Sequence, residues 1–432
     1  MKIYSIIKNV WITIILFLMI YRPALVPKVS MTDILFIVSV VGYFICNNGK
    51  LTLSSFVPSK EIKLFLYIMV AAAFYASVMT FAAGGNWNFG YQYLKVVLYA
   101  FVYAAYICSF MKQNNYGMKQ LVNWLLWASV AQSIFVVVML FNNSFRTQVI
   151  TQLINNGAGG ITMERFITFP QRSYGLGDGY WSGMSIVSGL LANIALVYAV
   201  KYSAKYYLFI PGLLLTSAVN ARTGLVIFLA GLIIVILFYS NQSIVKKSGL
   251  ILLVLSAIFL MPYVLNFLQQ ISPSTTKWLT NISEQLNNMS EKESTADYYL
   301  LNPLYWIWPS FLSTIFGTGK SVFGIEGFNN FGHSSDSGFL GIIYRGGFVL
   351  SFLLYYATYI LCFCRKIRRS QYKVLGLIFL SALIIQHYKG SVFYFNEYMT
   401  LIIIMIIAIY QIGLRENIEV QRKEKILCPE PA

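Results

Sequence analysis

The sequence predicts an all-α, polytopic transmembrane helical bundle of about twelve spans, and three observations carry that expectation. Of 432 residues, 58% are hydrophobic and only 11% are charged, whereas an ordinary soluble protein carries about 25% charged residues. Apolar runs of about 17–25 residues, the length that crosses a bilayer, recur along the whole chain. The polar connections between them fall into two unlike sets, short and basic or long and acidic.

Spans are expected near residues 5–21, 31–46, 62–83, 93–111, 119–141, 180–200, 206–221, 223–240, 248–268, 338–364, 372–387 and 396–412, all within one integral membrane domain over 1–432. The first has a signal-like charged head, Lys2 and Lys8, but no small-x-small cleavage site follows it. Tyr21-Arg22-Pro23 simply ends the run, so an uncleaved first helix is expected.

Alternate connections collect Lys50, Lys60 and Lys63; Lys112 and Lys119; Lys201 and Lys205; Lys246 and Lys247; Arg365, Lys366, Arg368 and Arg369; and Arg415, Arg422, Lys423 and Lys425. With the two N-terminal lysines these are about 20 of the 32 basic residues, and such a bias in short loops sets both termini in the cytoplasm. The net charge of +17 follows from that bias and from attraction to anionic lipid; no soluble domain offers a basic face for nucleic acid.

The opposite face collects Glu164, Asp178, Glu284, Glu291, Glu293, Asp297, Glu326, Asp336 and Glu397, together with two long connections at 142–180 and 269–337. Long loops in compact proteins usually work, so any chemistry is expected there. The first is Gly-rich (Gly157, Gly159, Gly160, Gly175, Gly177, Gly179) and predicts neither sheet nor helix. In the second, Trp278, Ile282, Leu286 and Met289 recur at helical spacing, which predicts an amphipathic helix over 275–289 on the membrane surface or the bundle. None of the five cysteines lies in either loop, so no disulfide framework is implied, and Cys362-Phe-Cys364 is apolar filler.

Arg222, in Val219-Asn220-Ala221-Arg222-Thr223-Gly224, separates two apolar stretches by almost nothing. It is either an interfacial arginine that snorkels or an anion clamp, since a guanidinium grips phosphate through a planar fork of donors. Arg172 lies in Pro170-Gln171-Arg172-Ser173-Tyr174-Gly175, a solvated loop arginine or a second anion contact backed by glycine N–H groups. Arg345, in Tyr344-Arg345-Gly346-Gly347, falls about two turns inside a span and needs a cavity or a partner. Three such arginines on one face suggest a doubly charged anion such as a pyrophosphate.

His333 is one of two histidines and stands in Phe331-Gly332-His333-Ser334-Ser335-Asp336-Ser337-Gly338. An imidazole titrates near neutrality, so it is a candidate general base, or else an idle loop residue. Asp336 either caps the following helix, orients His333 or binds a sugar hydroxyl. His333, Asp336 and Ser337 are too close in sequence to supply the geometry of a hydrolase triad, and no nucleophile elbow surrounds the serine. No metal site is expected, because neither histidine has ligand company at short spacing.

Gly317-Thr318-Gly319-Lys320-Ser321 mimics the end of a phosphate-binding P-loop, but Thr314 stands where the earlier glycine is required and no parallel-sheet pattern surrounds it. Tyr305 and Trp306, in an aromatic run from Tyr298 to Trp308, suit either an interfacial belt or stacking on sugar rings. His387-Tyr388-Lys389-Gly390 reads as mostly structural.

Taken together, Arg172-x-x-Gly175-Leu176 before one span, Ala221-Arg222-Thr223-Gly224 at a tight outer turn, Gly317-x-Gly319, and His333-Ser334-Ser335-Asp336-Ser337-Gly338-Phe339-Leu340 followed by Tyr344-Arg345-Gly346-Gly347 resemble the bacterial O-antigen polymerase (Wzy) family. The likeness in layout covers nearly the whole chain. It implies a GT-C-like membrane glycosyltransferase in the bacterial inner membrane, joining undecaprenyl-pyrophosphate-linked oligosaccharide repeats at its periplasmic face by inverting transfer, without a cofactor, metal or nucleotide. Under it, His333, Asp336 and Arg222 are the expected catalytic residues, and Arg172, Arg345, Tyr174, Tyr305 and Trp306 the expected substrate-binding ones. Membrane lipids and a chain-length regulator are the further partners it implies.

The related O-antigen ligases typically carry an Asn after the loop histidine, where this chain has Ser334, so the polymerase is the nearer match. A ligase acting on lipid A-core and a flippase of lipid-linked sugar remain the alternatives. A flippase would carry charges along a midplane path, and most spans here are clean of charge.

Overall fold

The computed structural model describes residues 2–52, 57–85, 88–157, 175–177, 183–239, 306–390 and 392–414, with isolated positions between 263 and 277. It is all-helical, with no strand among the described residues. In chain order the helices are α1 (Lys2–Tyr21), α2 (Met31–Cys46), α3 (Lys60–Ala82), α4 (Asn88–Lys95), α5 (Phe101–Gln113), α6 (Met118–Phe141), α7 (Asn143–Asn155), α8 (Gly183–Lys201), α9 (Ile210–Asn220) and α10 (Thr223–Phe238). They continue as α11 (Phe311–Phe316), α12 (Gly324–Phe331), α13 (Gly338–Phe363), α14 (Arg365–Arg368), α15 (Lys373–Lys389) and α16 (Glu397–Ala408).

Six segments are long and apolar enough to cross a membrane: Ile3–Tyr21, Lys60–Ala82, Phe89–Gln113, Met118–Phe141, Gly183–Lys201 and Gly338–Arg368. Met31–Cys46, Thr223–Phe238 and Glu397–Gly413 are shorter apolar helices. The expected run of about twelve similar spans is therefore uneven. The stretch expected at 206–221 divides into a 3-10 turn, Ala204–Phe209, and the 11-residue α9, which starts afresh with a proline in its first turn. The stretch expected at 248–268 lies almost wholly outside the described residues.

Local chemistry sets several boundaries. Ser59 caps α3 by accepting from the Ile62 N–H at 3.2 Å, Asn142 caps α7 through Phe145 at 2.9 Å, and Asn396 caps α16 through Met399 at 2.8 Å. Helix α7 corrects the expectation of a structureless first long loop: its opening residues are helical, and Asn156, just beyond, donates to the Ala24 carbonyl at 2.8 Å. Of the amphipathic helix expected over 275–289, only Thr276 and Lys277 are described, and both are helical.

Helix ends sort into two faces. At one, Lys8 reaches Asn114 (2.6 Å), Lys112 reaches Gln411 (2.5 Å), Lys201 reaches Gln371 (2.6 Å) and Lys366 pairs with Glu61 (3.0 Å). At the other, Arg22 pairs with Glu397, and Gly338 lies against the carbonyls of His387 and Gly390. Successive helices thus run alternately between a lysine-rich end and an end that carries Arg22 and Glu397. Two helices are almost wholly enclosed: α8, whose residues Met184–Val200 are all buried, and α16, buried from Glu397 to Ala408.

Candidate functional site

The longest apolar helix, α13, breaks near its start. Gly347 adopts φ 62° and ψ −161°, a conformation for glycine alone, so the helix bends after two turns. A break removes the i+4 donors that the carbonyls of Tyr344 and Arg345 would otherwise meet. The P-loop-like segment supplies replacements. Thr318 gives its N–H (2.5 Å) and its hydroxyl (2.7 Å) to the Tyr344 carbonyl, and the Gly319 N–H reaches the Arg345 carbonyl at 3.2 Å. Side chains would block this approach: a Cβ on Gly317 would lie 2.5 Å from the Cα of Gly346. The glycines thus serve close backbone packing.

Arg345 is half-buried and its guanidinium meets uncharged groups only in the contacts that hold it. It donates to the Tyr394 hydroxyl and to Ser321 Oγ (3.1 Å) and stacks over the Phe89 ring, 3.8 Å from its centroid. Phe89, Tyr93 and Tyr394 form an aromatic wall, with Tyr93 and Tyr394 stacked at 6.3 Å. The two ion pairs among the described residues, Arg22–Glu397 and Lys366–Glu61, do not include it. Cation–π stacking offsets part of the cost of burying the charge, about 0.5–2 kcal/mol.

One residue earlier, Tyr344 is buried and turns its hydroxyl the other way. His333 Nε2 lies 3.0 Å from that hydroxyl, His333 Nδ1 lies 3.1 Å from the Phe331 carbonyl, and the Tyr344 hydroxyl also reaches the Ile307 carbonyl at 3.0 Å. The loop is pinned by the Ser335 N–H on the Val322 carbonyl (2.9 Å). Ser337, rather than Asp336, occupies the N-cap of α13, and Asp336 is half-buried beside it. His333 and Arg345 are thereby joined through two adjacent residues of one helix.

Arg222 is the N-cap of α10, in the turn from α9. Ser185 on α8 locks this turn: its hydroxyl donates to the Ala221 carbonyl, lies 2.9 Å from Ser217 Oγ and accepts the Gly224 N–H at 3.0 Å. Burial lowers the pKa of Arg222, though a guanidinium remains charged at any physiological pH. The residues that lock this turn, Ser185 and Ser217, are not those that hold Arg345. Trp306 lies tilted against Tyr388 near the end of α15, ring centroids 5.3 Å apart, and belongs to the wall of the Phe331–Tyr344 cluster. Arg172, Tyr174 and Tyr305 lie outside the described residues.

Sequence reasoning passed over Tyr344, Tyr394, Ser321 and Phe89. It also missed the pair of Arg22 and Glu397, whose carboxylate lies against Gly183 at the start of α8. His387 is enclosed by Phe339, Tyr355 and Phe393 at 4.8–5.3 Å and is a core residue. Among the described residues no three His, Cys, Asp or Glu side chains gather to hold a metal ion. In comparisons with known proteins, the chain matches no family model, no curated protein and no solved structure.

Proposed function

We propose that the chain is a membrane glycosyltransferase of the O-antigen polymerase type, which extends a glycan with repeats carried on undecaprenyl pyrophosphate. The observation that carries this reading is the junction of His333 and Arg345 through Tyr344: a proton acceptor and a cation among uncharged partners, at the same end of the bundle. In the proposed reaction an acceptor hydroxyl attacks the anomeric carbon of the lipid-linked sugar. A new C–O bond forms as the bond to the diphosphate breaks, the hydroxyl proton passes to His333, and the departing diphosphate takes the negative charge. Arg345 receives that charge, with Arg222 and Arg172 as further contacts, in the manner of preorganised electrostatic stabilisation.

Both ring nitrogens of His333 have protein partners, the Phe331 carbonyl and the Tyr344 hydroxyl, and these orient the ring. The lysine-rich end of the bundle supports a cytoplasmic placement for both termini, and the His333 end then faces the periplasm of the inner membrane.

The test is full-length protein in liposomes with undecaprenyl-pyrophosphate-linked repeats, read by gel electrophoresis. A ladder of products that disappears with His333→Ala or Arg345→Ala is expected. Single transfer to lipid A-core would mark a ligase, and movement of labelled substrate across the bilayer without growth a flippase.

A further inference from the structure

We infer that residues 306–323 form a re-entrant hairpin that dips into the hydrocarbon of the leaflet on the His333 side, with Phe311, Leu312 and Phe316 against lipid chains. This stands apart from any enzymatic reading, since it rests only on depth, satisfaction of polar groups and exposed apolar surface.

Two helices measure the depth independently. The Phe316 carbonyl accepts from the Tyr75 hydroxyl at 2.8 Å, and Tyr75 lies seven residues before Ala82, the end of α3; at 1.5 Å per residue that is about 10 Å below the helix end. Gly317 packs on Gly346, eight residues into α13 from Gly338, about 12 Å below that end by the same measure. The flanks are shallower. Trp306 packs against Tyr388, one residue from the end of α15, and Gly319 lies against Met79 and Ala83 at the end of α3. The chain therefore enters beside α15, turns at Phe316-Gly317 and climbs out along α3.

Irregular backbone survives at such depth only if its polar groups are satisfied by protein, and several near the turn are. Thr314 Oγ1 donates to the Pro309 carbonyl, Ser310 pairs with Ser313, and Thr318 takes the Tyr344 carbonyl. The N–H groups of Thr314 and Gly317 bond to Ser310 and Ser313 carbonyls. The outward face, by contrast, is apolar: Phe311 is 79% exposed and Leu312 67%. The two helices the hairpin touches also expose aromatic side chains, Phe74 and Phe81 on α3 and Phe348 and Phe352 on α13.

The test uses full-length protein with its five native cysteines replaced by serine and one cysteine introduced, spin-labelled, in phosphatidylcholine–phosphatidylglycerol liposomes. Collision rates are measured with oxygen, which concentrates in hydrocarbon, and with a water-soluble nickel chelate. At Leu312→Cys the oxygen-to-nickel ratio should match that at Phe74→Cys and exceed severalfold that at Asn329→Cys on the exposed α12. Phe311→Cys provides a second reading should the first variant misfold. Dominant nickel collisions at both hairpin positions would place them in water, and low rates with both agents would mean that a second copy or another protein covers them; either result overturns the inference.

Discussion

Arg22 donates to the carboxylate of Glu397 at 2.5 Å, across 375 residues of sequence, and so fastens the end of the first helix to the start of the last. Both side chains are almost wholly enclosed, and Arg22 takes a positive φ of 46° to reach its partner while lying over the Phe395 ring. Removing one partner of a buried pair strands the other charge, which costs about 3–5 kcal/mol. Arg22→Ala and Glu397→Ala should therefore each lower the thermal unfolding midpoint in detergent markedly. The double variant Arg22→Met/Glu397→Leu should recover most of that loss, because it removes both charges while keeping volume.

Gly347 provides a sharper test of the break in α13. At its φ of 62° and ψ of −161° an alanine is strained by about 1–3 kcal/mol, and its Cβ would run into the Ile315 carbonyl of the hairpin. Gly341, in the same helix, has nothing within 4 Å of an added Cβ. Gly341→Ala should accordingly be neutral or stabilising by up to ~1 kcal/mol, whereas Gly347→Ala destabilises. Equal thermal midpoints for the two variants would contradict a fixed break at Gly347.

Ser185 decides how firmly the Arg222 turn is held. Ser185→Ala leaves the Ala221 carbonyl and the Gly224 N–H, both buried, without this hydroxyl, at a cost of about 1–3 kcal/mol. Ser381, which bonds only to a carbonyl of its own helix, is the comparison. Its change to alanine should stay within about 0.5 kcal/mol. Chemical unfolding followed by tryptophan fluorescence separates the two.

Much of this architecture is legible in the amino-acid order because a membrane helix is a local property. The expected run at 31–46 and the helix Met31–Cys46 coincide, and 338–364 closely matches Gly338–Phe363, since a sustained apolar run marks out a helix locally, although Met31–Cys46 is among the shorter apolar helices. The break inside that helix is not local, because Gly346 and Gly347 are equally permissive and only the arriving hairpin selects the second. Nor is the hairpin legible: its apolar runs are a few residues long and interrupted by Ser310, Ser313, Thr314 and Gly317, which reads as extramembrane loop. Tyr344 is one of 31 tyrosines, and nothing in its neighbours marks it as the residue His333 meets. Arg22 and Glu397 each read as a span end, and only the folded bundle pairs them.

Counting hydrogens around Tyr344 yields the prediction for His333. Three contacts, His333 Nδ1 to the Phe331 carbonyl, Nε2 to the Tyr344 hydroxyl and that hydroxyl to the Ile307 carbonyl, need three hydrogens. A neutral imidazole and a phenol supply two, and a proton gained by the ring completes the set. If His333 takes the acceptor's proton, His333→Ala should slow chain growth by about 10²–10⁴-fold, the usual worth of general base catalysis. Tyr344→Phe removes the shared hydroxyl and should produce a smaller loss, with little change in thermal midpoint. A Tyr344→Phe enzyme as slow as His333→Ala would instead make the hydroxyl the group that meets the substrate.

Arg345 allows a positional role to be told from a chemical one, because charge and shape can be removed separately. Its fork reaches Tyr394 and Ser321 while its plane lies on Phe89, an arrangement a lysine cannot copy although it keeps the charge. If the guanidinium only braces the break in α13, Arg345→Lys and Arg345→Met lower the thermal midpoint alike and leave turnover per folded molecule unchanged. If it receives the charge of a departing diphosphate, Arg345→Met should lose about 10²–10³-fold in kcat, the scale of one preorganised donor. Arg345→Lys should retain part of that rate, since a point charge still stabilises an anion, and the order of the two variants in kcat therefore decides between bracing and charge stabilisation.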